Sequence, residues 1–442
     1  MADSPSHDPA PQEPLFLSAA EFEQNRDVPP PSDAGEPLWI GEEHLAPPLS
    51  PAYPPPQRHW LLVLLESLAW WCSLPFLQIL GGGLAAAIVV IVFLVETGGG
   101  PDALQALQKQ DELEKILTQE YLLEFLCITQ AVVVLGTMLL APLRLGWRRA
   151  TLPRHLLAPW EHAQGFFKRL GRETLRQMPL APIPWPHGGL ILLAVLPLQL
   201  VAATLYAAVA VLWEELVKLL PWLRGLDDVN TMESIGEMVQ SGSLVFVILA
   251  LAVAPAIGEE LIFRGVIGRG LIARFGLLAG MLTTSVLFGA AHIHPVHAIG
   301  VVPLGLAMHF AYYCSRSFWA PMLIHFLNNG FAVLVTKYLP EAAEMEEVDR
   351  PLWLVAIAAV TLAAMALLMW RTRVRHELPD GTAWDPGYDT VESPPPGVPA
   401  IRMRDGLMPG PLMPALFATL AFYAGLTIPA LLEYLRETGT LD

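Results

Sequence analysis

Apolar residues in this chain come in long unbroken runs separated by short polar segments. There is no period-2 alternation of the kind that marks half-buried strands. About 20 apolar residues in a helix cross the roughly 30 Å of hydrocarbon in a bilayer. Nine runs meet or approach that length: 75–96, 121–142, 188–213, 243–264, 276–293, 296–314, 318–338, 351–370 and 412–435. The stretch 59–73 is also apolar, but it carries Glu66 and stops before Pro75, so it is expected as an interfacial helix leading into the first span. The runs 276–293 and 296–314 are short and joined by a tight His292-Ile293-His294-Pro295 link, so they are expected as helices inside the bundle. The pattern predicts an all-α fold: a polytopic transmembrane helical bundle of about eight to nine spans.

The polar segments divide the chain. Residues 1–58, with Pro29-Pro30-Pro31 and Pro54-Pro55-Pro56, are expected as an acidic, Pro-rich disordered tail. Residues 59–240 are expected to hold the N-terminal membrane helices and a basic loop, 241–340 a catalytic core, and 341–442 the C-terminal helices with a polar loop at 371–410. Arginines and lysines cluster in 143–187, after the fourth run (Arg269, Arg274), at Arg316 and in 371–404. With nine spans and a cytoplasmic N-terminus these four segments share the cytoplasmic side, and the acidic segments 97–120, 214–242 and 339–350 lie opposite. Segment 214–242, with Trp213, Leu216, Leu220 and Trp222 among charges, is expected to lie along the headgroups. The two halves share no polar motif, which argues against a transporter built from repeats. The expected location is an integral, multi-pass membrane protein, in the plasma or inner membrane if the host is bacterial.

Composition agrees: 54% hydrophobic, 15% charged, mean hydropathy +0.46. The net charge of −16 is uneven, because residues 1–58 hold ten Asp/Glu against Arg26 and Arg58 alone. Such acidity excludes nucleic-acid binding as the main task. Cys72, Cys127 and Cys314 all lie in apolar stretches and form neither a disulfide framework nor a thiolate metal site. The acidic start, with no basic region before an apolar stretch, is not the pattern of a signal peptide.

Against this background Gly258-Glu259-Glu260-Leu261-Ile262-Phe263-Arg264 stands out. A charge at membrane depth costs roughly 3 kcal/mol or more and marks a functional site by default. On a helix Glu260 and Arg264 share a face at i and i+4 and can pair, whereas Glu259 is turned about 100° away and has no local cation. One glutamate therefore has a structural reason, and the other is free to act as a general base. Phe288 and His292 share a face on the next run. Glu259 and His292 each lie 16 residues from the turn at Phe275-Gly276, so an antiparallel hairpin would bring them level, with one water between them. His325 and Asn329 share a face on the run 318–338, with Asn328 beside them. Two donors there suit an oxyanion, or plain interhelical hydrogen bonding.

Two other patterns carry less. His292-Ile293-His294-Pro295-Val296-His297 has the spacing of a binuclear zinc run, but Val296 stands where an aspartate is needed. His309, mid-run, is expected as a packed core histidine. There is no HExxH motif.

Taken in order, Glu-Glu-x-x-x-Arg (Glu259, Glu260, Arg264), Phe-x-x-x-His (Phe288, His292) and His-x-x-x-Asn (His325, Asn329) resemble the CPBP intramembrane proteases. That family includes type II CAAX prenyl endopeptidases and bacteriocin-processing or immunity proteins. The resemblance covers about residues 240–340. It implies a helical bundle around a water-filled cavity. There Glu259 with His292 activates water, His325 and Asn329 stabilise the oxyanion, and Glu260 and Arg264 support the site. The implied activity is an intramembrane endopeptidase acting on membrane-associated or lipidated (CAAX-like) proteins. The alternative is a non-catalytic binding, immunity or assembly protein on the same scaffold. The expected partners are membrane lipids and a peptide or protein substrate, prenylated or otherwise lipidated, and no nucleic acid. No metal is the favoured expectation, because Asn329 suits an oxyanion hole and neither histidine has an obvious supporting carboxylate. Zinc on Glu259, His292 and His325 is the competing one.

Overall fold

The computed structural model describes residues 58–146, 159–229, 232–339, 351–376, 383–384, 386–393, 400–401 and 409–437. The acidic tail expected over 1–58 therefore lies outside the described residues, apart from Arg58 at its end. Ten principal helices carry the described fold: α1 Trp60–Glu96, α2 Leu122–Gly146, α3 Pro159–Gln177, α4 Trp185–Leu219, α5 Leu244–Phe275, α6 Leu277–Ala290, α7 Pro295–Ser315, α8 Trp319–Tyr338, α9 Leu352–Arg371 and α10 Pro409–Glu437. Among the described residues the one strand pairing is a two-residue antiparallel contact, Arg375–His376 with Ala400–Ile401. Seven helices, α1, α2, α4, α5, α7, α8 and α9, are long and apolar enough to cross a membrane. Their outward faces are rich in exposed side chains such as Ile79, Val95, Leu135, Leu212 and Leu352, which water would penalise and lipid accepts. The chain is an integral, multi-pass membrane protein.

Three expectations change. Residues 59–73 are not a separate interfacial helix, because α1 runs unbroken for 37 residues with Pro75 inside it. Glu66 does not end it, since its carboxylate is taken up by Arg58 and by Arg144 of α2. Helix α6 is 14 residues, about 21 Å long at 1.5 Å per residue, and is too short to span. The C-terminal run forms a 29-residue helix with Pro414 and Pro429 inside it, of which Met413–Pro429 is the described apolar part. Segment 214–242 is not one surface helix. It holds the end of α4, a 3₁₀ segment Pro221–Val229 and a helix Met232–Ser241.

Helix α5 is the centre of the arrangement and packs against α1, α2, α6 and α8. It returns into α6 through Gly276, whose φ of 82° closes the helix and suits glycine. Glycine is also required at Gly280, where a Cβ would stand 2.6 Å from the Ile272 backbone. That close approach lets α5 and α6 form a tight hairpin.

The four basic segments meet at one end of the bundle. Glu392 binds Arg176 and Arg269, and its carbonyl accepts from Arg316. Phe318 N–H donates to Pro179 O, Val374 N–H to Cys314 O, and Asp389 accepts from Leu277 N–H at the start of α6. At the far end Lys337 donates to the carbonyls of Val239, Gln240 and Gly242. Asp227 binds His294 there.

Candidate active site

Helix α5 is not uniform. Two wide (π) turns, Leu249–Val253 and Leu261–Ile267, flank the regular segment Ala254–Glu260. Such turns recur at functional sites. Pro255 has no N–H to give the Leu251 carbonyl four residues back. Asn329 Nδ2 of α8 donates to that carbonyl at 2.8 Å. In turn Asn328 Nδ2 donates to Asn329 Oδ1 at 3.0 Å, and Gln199 Nε2 of α4 donates to Asn328 Oδ1 at 2.8 Å. Part of Asn329's hydrogen bonding thus mends the break that Pro255 makes.

The two glutamates differ sharply. Glu260 is fully buried; its Oε1 accepts from Arg264 Nη1 at 2.7 Å and lies 2.8 Å from His325 Nδ1. Arg264, equally buried, also donates from Nη2 to Gly305 O at 3.1 Å. That carbonyl is in reach because glycine lets α7 close on α6: a Cβ at Gly305 would meet Ser285 at 3.0 Å. Glu259 keeps 22% of its side-chain exposure, and its nearest ionisable partner is His325 Nε2 at 4.0 Å, too far for a direct hydrogen bond.

Phe288 joins the remaining parts. The Arg264 guanidinium lies 4.6 Å above its ring, a cation–π contact. Its edges meet Phe263, His292 and His325 at centroid distances of 5.2, 5.2 and 5.8 Å. His292 Nδ1 lies 3.1 Å from Phe288 O, so this nitrogen carries the proton and Nε2 is left as an acceptor. His297 stacks on His292 at 4.9 Å.

The structure thus gathers Arg264, His292 and His325 around the Phe288 ring, with Glu260 on Arg264 and His325, Glu259 4.0 Å from His325, and Asn329 one turn beyond His325. Among the described residues no direct ion pair joins Glu259 and His292, which leaves room for the expected water between them, and the histidine nitrogen within 4.0 Å of Glu259 is Nε2 of His325. Two features depart from the even helical hairpin on which the equal count was based. The wide turn Leu261–Ile267 alters the residue count on one arm of the hairpin, and His292 lies beyond the end of α6 at Ala290. The expectation that no carboxylate supports either histidine fails, because Glu260 holds His325 Nδ1. Sequence reasoning missed Gln199, although a lone glutamine in an apolar run was a usable signal. It had no means of seeing the Gly305 carbonyl. His309 is buried beside Gly268 and lines a small gap together with Arg264.

An apolar cavity of about 430 Å³ adjoins the site between α4, α7, α8 and α9. Ile324 and Asn328, on either side of His325, form part of its wall with Leu198, Phe310 and Met365, and Asn328 is its only amide.

Residues 241–331 match the family model described as "Type II CAAX prenyl endopeptidase Rce1-like". That stretch is similar to the core of CPBP-family proteins. Over 111 residues the chain is 28% identical to the "Putative membrane peptidase YdiL" of Bacillus subtilis (strain 168). The match covers 25% of this chain and 44% of that relative, so the chain spans under half the length of the curated protein it resembles. No solved structure matches the chain significantly. Both matches point to a family of membrane proteases.

Proposed function

We propose that this protein is an intramembrane endopeptidase in which Glu259 activates water against a peptide bond of a membrane-associated or lipidated substrate. The observation that carries this reading is the unequal treatment of two adjacent glutamates. Glu260 is buried and holds both Arg264 and His325 on its Oε1, with Oε2 left unpartnered among the described residues, while Glu259 is partly exposed and has no hydrogen-bond partner among the described residues. A carboxylate held free beside a fixed ion pair is what a general base requires.

In this reading a water accepts orientation from Glu259 and from the free Nε2 of His292. Glu259 takes its proton as the oxygen attacks the scissile carbonyl, and later returns that proton to the leaving amine. The oxyanion that forms is met by His325 Nε2–H and by the second amide hydrogen of Asn329. His325 gives its Nδ1–H to Glu260, so it donates from Nε2 only as imidazolium. The adjoining apolar cavity supports a substrate that carries an acyl or prenyl chain.

A second reading has its own observation. His325 on Glu260 and His292 on a backbone carbonyl are oriented as metal-binding histidines are, each with Nε2 free. Yet among the described residues no three His, Cys, Asp or Glu side chains converge closely enough to hold a metal ion, and no step here is routed through one.

The test is cleavage of a quenched-fluorescence lipopeptide library by detergent-purified protein, beside Glu259→Gln and His292→Ala, with and without a strong chelator. The account expects turnover lost in both variants and unchanged by chelator. Loss on chelation, restored by zinc, transfers Glu259, His292 and His325 to a metal. A folded wild type that cuts no peptide favours the binding, immunity or assembly alternative.

A further inference from the structure

The turn that carries His292 is under backbone strain. Helix α6 closes at Ala290, and Pro295 obliges His294 to be extended, at φ −64° and ψ 123°. Ile293 must absorb the reversal between them and does so at φ 64°. His294 N–H bonds to His292 O at 2.7 Å across it. A two-residue bond around a positive φ is the strained form of the γ-turn, and a β-branched residue tolerates that region worst. Ile293 is 63% exposed, so its own packing does not hold it.

Strain of this kind persists only where the surroundings over-determine it. One constraint is the Phe288 carbonyl on His292 Nδ1. The other comes from a distant segment. Asp227, on the 3₁₀ stretch after α4, has one oxygen, Oδ1, placed 3.2 Å from His294 Nε2 and 2.8 Å from Trp213 Nε1. The Trp213 ring meets the His294 ring edge-on at 5.9 Å.

We propose that Asp227 is a positioning residue for the hydrolysis: by holding His294 against Trp213 it keeps Ile293 in its strained turn and so sets the direction of His292. This rests on the role given to His292 above. Asp227 touches no reacting atom.

The test uses the full-length protein and the lipopeptide reporter, with Asp227→Ala, Asp227→Asn, His294→Ala and the double variant Asp227→Ala/Ile293→Gly. Turnover is resolved into kcat and KM. Hydrogen–deuterium exchange follows the peptide covering 288–298. Asp227→Ala is expected to lower kcat about ten- to hundredfold, as small misplacements of catalytic groups do, with KM little changed and exchange across the turn accelerated. Asp227→Asn keeps most of the rate, because an amide oxygen still accepts both bonds. The double variant recovers much of the kcat and the protection, since glycine holds positive φ without strain. His294→Ala removes the same tether from the other side should Asp227→Ala fold poorly. The proposal is overturned if Asp227→Ala leaves rate and exchange unchanged, or if the double variant behaves no better than Asp227→Ala. An inactive wild type, or an active His292→Ala, instead sinks the hydrolytic role of His292, and the exchange data alone then decide whether Asp227 holds the turn.

Discussion

At the scale of the residue, Glu259 and Glu260 are the same side chain in two environments, and the account assigns them opposite failures. Glu260→Gln leaves the buried Arg264 guanidinium without its counter-charge, and breaking a buried pair costs about 3–5 kcal/mol. The expected outcome is a large fall in the unfolding midpoint of purified protein, with activity lost as a consequence. Glu259→Gln removes no hydrogen bond, so its unfolding midpoint should stay with the wild type while turnover falls about 10²- to 10⁴-fold. The i, i+4 pairing of Glu260 with Arg264 was legible in the sequence, as was the absence of a local cation for Glu259. What faces Glu259 was not. His325 arrives from α8, far along the chain, and nothing in the spacing says which of two histidines comes closer. The strained turn at Ile293 was equally hidden, because a positive φ at isoleucine is imposed by its surroundings rather than signalled by the residue.

At the scale of the element, α5 shows how a helix is made irregular in lipid without leaving its backbone unsatisfied. Pro255 withholds an N–H from the Leu251 carbonyl, and Asn329 from α8 supplies one. Asn329→Ala should therefore destabilise by about 1–3 kcal/mol, the cost of a buried acceptor left bare. Pro255→Ala restores a backbone N–H at that position. In the double variant the loss at Asn329 should shrink, giving a coupling energy above about 0.5 kcal/mol in a double-mutant cycle. Additive losses would show that Asn329 does not serve the Pro255 gap. The run lengths marked where helices lie, and Gly276 marked the turn. They did not show that α1 passes through Glu66 and Pro75, because that depends on Arg58 and Arg144 neutralising the glutamate. Nor did they reveal the wide turns, which change the residue count along α5.

For the described bundle as a whole, charge orders the ends. Arg176, Arg269 and Arg316, from three separate segments, converge on Glu392 of the loop between α9 and α10, so the basic loops that share a sign also share contacts. With these loops cytoplasmic, a cysteine placed at Arg371 in a background lacking Cys72, Cys127 and Cys314 should react with an impermeant maleimide only after the membrane is opened. One at Asp111 should react in intact cells. The reverse pattern would invert the bundle and carry the Asp227–His294 end, with the site near it, to the opposite leaflet. The short α6, packed against α5 and α7 rather than crossing alone, brings Phe288 to the middle of the site. Under the proposed function, the apolar cavity beside it is where a substrate's lipid chain would rest.

The most direct measurement is a single-turnover cleavage assay with wild type, Glu259→Gln and Glu260→Gln, each with its thermal unfolding midpoint. The account predicts that Glu259→Gln keeps the wild-type midpoint and loses the chemical step, while Glu260→Gln loses stability first. A Glu259→Gln protein that folds and cleaves at the wild-type rate would contradict it.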